Sequence, residues 1–176
     1  MSLPPDSIPL HGTHGYNVVV ETPRGSRTKF VYDAETGLFR ARKLLAMGLA
    51  FPFAFGFLTS TRAGDGDPLD VLLLTDADLP TGVLVECRLV GAIAMEERAE
   101  GKSRRNDRLL AVPLLRHQDR PPRDLPDMPP AEMDDLDAFL VAYQAADGKE
   151  ATVVGHLGRA EAEALVARAA RERRAV

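Results

Sequence analysis

Between positions 63 and 74 the chain reads Ala-Gly-Asp-Gly-Asp-Pro-Leu-Asp-Val-Leu-Leu-Leu, and this stretch restricts the fold more than any other. Three carboxylates, Asp65, Asp67 and Asp70, fall within six residues. Gly64 and Gly66 release the backbone from ordinary steric limits, and Pro68 rules out a helix interior. Val71 to Leu74 then reads as a short buried strand bounded by Thr75 and Asp76, so the acids sit on the loop that enters it. In an extended loop Asp65 and Asp67 share a face, with Asp70 at the strand mouth. Such a cluster repels itself unless cations occupy it, and hard oxygen ligands on a stiff turn suit magnesium or calcium better than zinc. A lone Asp-Gly is ordinarily only a turn. Three acids around a glycine and a proline ask for more than turn chemistry. The spacing does not fit an EF-hand, which needs its glycine and terminal glutamate elsewhere.

The chain has 176 residues, enough for one domain with a substantial core. A net charge of −4 removes any general pull toward nucleic acid. A single cysteine, Cys87, allows no internal disulfide and fits a reducing cytoplasm. No apolar run is long enough for a membrane span, and the first ten residues lack the pattern of a signal peptide.

Positions 1–15 read as an irregular arm, with His11 and His14 a loop pair that lacks a third ligand. Tyr16 to Thr22 and Thr28 to Tyr32 read as strands paired in a hairpin, followed by a third extended segment from Leu38 to Leu45. In that register Glu21 and Lys29 face solvent or a cleft. Phe51, Phe53, Phe55 and Phe57 alternate along one strand, which places four rings on one face. Val83 to Met95 is a long strand with Cys87 packed inside it as a small hydrophobe. Glu96 to Arg108 is too polar for core and reads as a loop, and Asp119 to Pro130 as an irregular, proline-rich segment. Met133, Leu136, Leu140 and Tyr143 repeat at helical spacing after Pro129-Pro130, and Asp147-Gly148 ends that helix. A short strand over Ala151 to His156 and a helix over Arg159 to Arg174 complete the chain. About six strands before the first helix suggest an α+β fold, a small barrel with helices packed outside it.

The acid stretch Gly64-Asp65-Gly66-Asp67-Pro68-Leu69-Asp70-Val71-Leu72 resembles the DGDPxDVLV signature of the soluble, magnesium-dependent inorganic pyrophosphatases. Phe51-Pro52-Phe53-Ala54-Phe55-Gly56-Phe57 is similar to that family's YPxNYGY element. The resemblance runs from about Tyr16 to about Leu157. It implies a closed five-stranded, OB-like barrel with flanking helices and a site in the barrel mouth. It implies Asp65, Asp70 and Glu97 as metal ligands, Glu21 as an acid supporting the metals at longer range, and Asp67 as the general base. Lys29, Lys43, Arg108 and Tyr143 match its phosphate-binding positions. Several positions depart from the family pattern. Val31 stands where the family has an acid, Lys43 where it has an arginine, and Phe51 and Phe55 where it has tyrosines. Glu97 replaces an aspartate, Arg108 and Gln144 replace lysines, and Asn106, beside Asp107, stands where another ligand aspartate belongs.

The function implied is hydrolysis of pyrophosphate to two phosphates with two or more magnesium ions. The protein would be a cytoplasmic homo-oligomer, hexamers being common among the family's bacterial members, with no nucleic-acid or membrane partner. Two alternatives share the fold: action on another phosphoanhydride, and a non-catalytic protein that binds metal or anion.

Overall fold

The computed structural model describes residues 4–118 and 120–174. Residues 1–3 of the expected arm, Asp119 at the head of the expected irregular segment, and residues 175–176 lie outside them. Among the described residues the order of the main elements is β1 (Tyr16–Thr22), β2 (Thr28–Asp33), β3 (Leu38–Leu44), β4 (Ala54–Leu58), β5 (Asp70–Leu73), β6 (Leu84–Ala99), β7 (Lys102–Arg105), β8 (Arg108–Pro113), α1 (Pro130–Ala145), β9 (Glu150–Gly158) and α2 (Arg159–Arg174). Eight strands, not six, thus precede α1.

Five of them close on themselves. β1 pairs with β4, β4 with β5, β5 with β8, β8 with β6, and β6 returns to β1. Only the β5–β8 pair is parallel. This ring with two helices is the OB-like α+β architecture expected. The 16-residue β6 makes closure possible because successive, overlapping parts of it serve different neighbours on its two edges. Leu84–Cys87 pairs with β1, Cys87–Ile93 with β8, and the distal end with β9 and β7.

The unbroken apolar run after the acids follows from burial on both faces of β5. Val71 and Leu73 join a cluster with Val18, Leu89, Leu109 and Val166 of α2. Leu72 and Leu74 turn the other way, into a cluster with Phe51, Ile93, Leu110 and the α1 residues Leu136, Phe139 and Leu140. A strand covered on both sides has no polar face to alternate with. Cys87 is fully buried in the first cluster, where burial pushes its thiol up, so it packs as the small hydrophobe expected.

β4 lies so close to β1 that a Cβ added at Gly56 would sit 2.1 Å from the carbonyl oxygen of Val19. The Gly56→Ala variant is expected to lose about 2 kcal/mol, since backbone rather than a flexible side chain must yield. Thermal melting should register this as a fall of several degrees, and an unchanged melting temperature would refute the close packing.

α1 begins at Pro130, whose fixed φ suits a first helical position, and Glu132 sits near its positive end. It buries Met133, Leu136, Phe139, Leu140 and Tyr143 at the spacing the sequence predicts, together with Gln144. α2 packs Ala162, Val166, Ala169 and Ala170 inward, with Leu165 only partly covered. Among the described residues no helix is long and apolar enough to cross a membrane.

Three local expectations are corrected. β2 pairs with β3, not with β1, and forms a separate two-stranded sheet. β1 reaches β2 through side chains instead. The Thr22 hydroxyl accepts from Phe30 N (3.0 Å) and donates to Phe30 O (3.1 Å), while the Glu21 carboxylate accepts from Tyr32 N (2.8 Å). Secondly, the segment from Glu96 to Arg108 is no loop. β6 runs on to Ala99, turns at Glu100-Gly101 with both φ angles positive, and returns as β7. Two such residues make the tight turn that matches strand twist, and most of the charges lie on an exposed hairpin, with Glu97 and Arg108 buried at its base. Thirdly, the phenylalanine stripe is not one strand, because β4 starts only at Ala54. Phe55 and Phe57 face one cleft, whereas Phe53 lines a different one.

Candidate active site

The acid loop is held in a curl, not extended. Ala63 N donates to Asp67 O (2.7 Å), Gly66 N to Ala63 O (3.0 Å), and Asp67 N to the Asp65 carboxylate (3.1 Å). Gly66 adopts φ +94°, which a side chain would resist. The curl directs Asp65, Asp67 and Asp70 into a cleft of about 970 Å³ at one end of the barrel. Glu21, Lys29, Lys43, Arg108 and Tyr143 line the same cleft. Eight of the nine site residues expected from sequence therefore meet there.

Glu97 is the ninth, and it lies beneath the cleft wall instead of in it. It is 2% exposed. Its Oε1 accepts from Gln144 Nε2 (2.6 Å), Asn106 Nδ2 and Arg108 Nη2 (3.4 Å), and its Oε2 faces Lys149 Nζ at 3.3 Å. The extra methylene relative to an aspartate lets this carboxylate reach the whole ring of donors.

Asp70 and Arg108 occupy neighbouring positions on parallel strands, because Val71 pairs with Leu109. Arg108 Nη1 lies 2.9 Å from the Asp70 carboxylate. Arg108 is 3% exposed, and its Nη1 also donates to Asn106 O (3.2 Å) and to the Asn106 side-chain oxygen. Its Nε is buried without a hydrogen-bond partner. A buried donor left unpaired is costly. Of the two neighbours Asn106 and Asp107, Asn106 lines the cleft. Asp107 accepts from Met95 N (3.1 Å) and pairs with Arg105 instead.

Lys29 and Glu21 form a buried pair at 3.3 Å, with the Lys29 ammonium 3.6 Å from the centre of the Phe55 ring. Burial pushes the Glu21 carboxyl up and the Lys29 amine down, and their mutual attraction opposes both shifts. Lys43 pairs with Asp147 and lies over the Tyr143 ring at 3.8 Å. Burial raises the Tyr143 phenol far above its ordinary value, so it stays a neutral donor. Partial burial, then the charges of Asp65 and Asp70, push Asp67 above the usual aspartate range.

Arg42, Arg104, Asp147 and Lys149 also line the cleft, and sequence reasoning missed them. Arg104 was legible in principle, since a two-residue turn at Glu100-Gly101 sets it opposite Glu97. Lys149 and Asp147 carried no local signal, because only the docking of α1 brings the turn after it to the mouth.

The donors facing the cleft are carboxylate, amide and phenol oxygens, with no histidine or cysteine among them, which suits a hard divalent cation. Among the described residues no three His, Cys, Asp or Glu side chains are gathered within reach of one ion. Asp70 is paired with Arg108 and Asp65 with Arg104 in this arrangement.

A sequence model of the family described as inorganic pyrophosphatase matches residues 18–174. The chain is 34% identical over 154 residues to the inorganic pyrophosphatase of Streptomyces coelicolor, covering 87% of this chain and 92% of that one. It is 35% identical over 157 residues to the inorganic pyrophosphatase of Leifsonia xyli, covering 86% and 91%. Its fold matches the crystal structure of inorganic pyrophosphatase from Thermus thermophilus with a TM-score of 0.85 and 30% identity, over 98% of this chain and 99% of the other.

Proposed function

This chain belongs to the inorganic pyrophosphatase family, and from that premise we propose that its cleft hydrolyses pyrophosphate to two phosphates with the help of magnesium. One observation carries the reading. The acids of the Asp65–Asp70 loop and the cations Lys29, Lys43 and Arg108 face one another across a single mouth. Pyrophosphate is a small polyanion whose hydrolysis needs both phosphates neutralised. Asp65 and Asp70 would hold the cations, with Glu21 behind them. Magnesium, when bound, would supply charge neutralisation and a water acidic enough to attack near neutral pH.

The chain's own residues do the rest. Lys29, Lys43 and Arg108 bind phosphate oxygens as point charges and a fork, and the Tyr143 hydroxyl donates without carrying charge. Asp67 accepts the proton of the attacking water at its carboxylate. Burial and the charges of Asp65 and Asp70 raise its carboxyl above the usual aspartate range.

Phosphate release from pyrophosphate, with and without magnesium, tests this directly. A panel of longer phosphoanhydrides run alongside separates pyrophosphate from a larger preferred substrate. Release from none of them by folded protein would favour a binding protein. The same reading places the protein in the cytoplasm as a homo-oligomer, with a hexamer the arrangement to check by light scattering.

The phenylalanine at position 55 offers a further check. Its ring lines the cleft and faces the Lys29 ammonium, but it has no hydroxyl to donate to a phosphate. Phe55→Tyr is expected to lower KM for pyrophosphate roughly fivefold, the worth of one added hydrogen bond. An unchanged or raised KM would mean that the ring's packing against Lys29 matters more than the missing donor.

A further inference from the structure

The β6–β7 hairpin puts one guanidinium within reach of two carboxylates, one in the cleft and one beneath its wall. Arg104 is the cross-strand partner of Glu97. Its Nη2 lies 3.8 Å from Glu97 Oε2 and 3.8 Å from Asp65 Oδ2, so one nitrogen is shared between the acid loop and the buried acid. Asp67 feels the same charge, which pulls its carboxyl down against the larger effects that raise it. The Arg104 side chain is about half exposed, while that of Glu97 is almost wholly covered, so the contact sits at the rim. Lys149 approaches the same Glu97 oxygen from the other side at 3.3 Å.

We propose that Arg104 is a tethered cation that occupies the gap between Asp65 and Glu97 and competes there with a divalent ion. The inference rests on the metal-dependent reading of the cleft given above. It makes Arg104 a positioning residue, since it acts on the acids and not on the substrate. A divalent cation held by Asp65 and Glu97 would have to displace the guanidinium, whose strand keeps it close at high effective concentration, and at Glu97 would compete with Lys149 as well. The contacts are long and exposed to solvent on one side, so they can be broken and are weakened by salt. Hence the hairpin turns metal loading into an exchange of one cation for another.

Titration of Mn²⁺ into the full-length protein without pyrophosphate, with free ion read by electron paramagnetic resonance, tests the exchange. Mg²⁺ calorimetry repeats it with the other ion. Arg104→Gln is expected to bind Mn²⁺ roughly fivefold more tightly than wild type at low salt, the equivalent of two weak ion pairs removed. Arg104→Lys, which keeps the charge, should stay near wild type, and the gain should shrink at high salt. Arg105→Gln is the charge-matched control from the same strand, since Arg105 pairs with Asp107 away from the cleft. An equal gain in Arg105→Gln would reduce the effect to net charge and overturn the proposal. Unchanged Mn²⁺ affinity with a raised KM for pyrophosphate would also overturn it, and make Arg104 a phosphate contact. Mn²⁺ binding by none of these proteins, with no turnover, would remove the metal-dependent reading and this inference together.

Discussion

Asp67→Asn is expected to lower magnesium-dependent phosphate release by about 10²- to 10⁴-fold while leaving the protein folded. The amide keeps the size of the carboxylate but cannot take a proton. The loop itself does not depend on the lost charge, because its curl is made by Ala63, Gly66 and the Asp67 backbone. The stability effect has a definite sign. Asp67 is raised above its ordinary value, so the folded protein holds that proton more tightly than the unfolded chain. Wild-type stability therefore falls as pH rises from the unfolded value to the folded one, and stays lower above it. The asparagine variant lacks that loss, so at neutral pH it should melt at or above the wild-type temperature. Near-wild-type release from Asp67→Asn would remove Asp67 from the proton transfer.

Lys29→Met should cost the most stability. It leaves the Glu21 carboxylate buried, with Tyr32 N as its remaining close partner in the structure. Breaking a buried ion pair on one side typically costs about 3–5 kcal/mol. For a chain of this length that is a drop in melting temperature of roughly 10 °C. The Glu21 carboxyl is already raised by burial, and Lys29 is the largest influence holding it down. Without Lys29 it rises further, so the folded variant binds the proton more tightly than the unfolded chain does. The variant therefore weakens as pH climbs above about 4.3, the ordinary glutamate value, and recovers on acidification. The double variant Glu21→Gln with Lys29→Met should regain much of the loss, since neither charge then remains buried. Equal melting of single and double variants across pH would show that the pair is not electrostatically coupled.

The barrel and the acid loop were legible because local chemistry decides them. Gly66 admits a positive φ that other residues resist, Pro68 admits few conformations, and Val71 to Leu74 admit few burial states. The helix from Pro130 was legible for a similar reason, with a start signal, an apolar stripe and a stop. What the sequence left hidden was set by long-range partners. Thr28 to Tyr32 reads as the mate of β1, yet it pairs with β3 because β1 already has neighbours on both edges. Glu97 reads as a mouth acid until Gln144 and Lys149, about fifty positions away, are seen to donate to it. Lys149 itself stands beside nothing suggestive in the sequence. Such placements depend on where whole elements dock, and no pattern of period two or 3.6 encodes that.

The two-stranded β2–β3 sheet has a bearing on binding that its connectivity makes explicit. It carries Lys29, Arg42 and Lys43, yet no ladder ties it to the ring. Among its ties to the ring are the Thr22 hydroxyl and the Glu21 carboxylate, gripping the backbone of Phe30 and Tyr32. The Lys29–Glu21 and Lys43–Asp147 pairs add to those ties, so side chains rather than a ladder seat the sheet and the cations it carries. A substitution at Thr22, which does not line the cleft, is therefore expected to weaken anion binding by loosening the backbone beside Lys29.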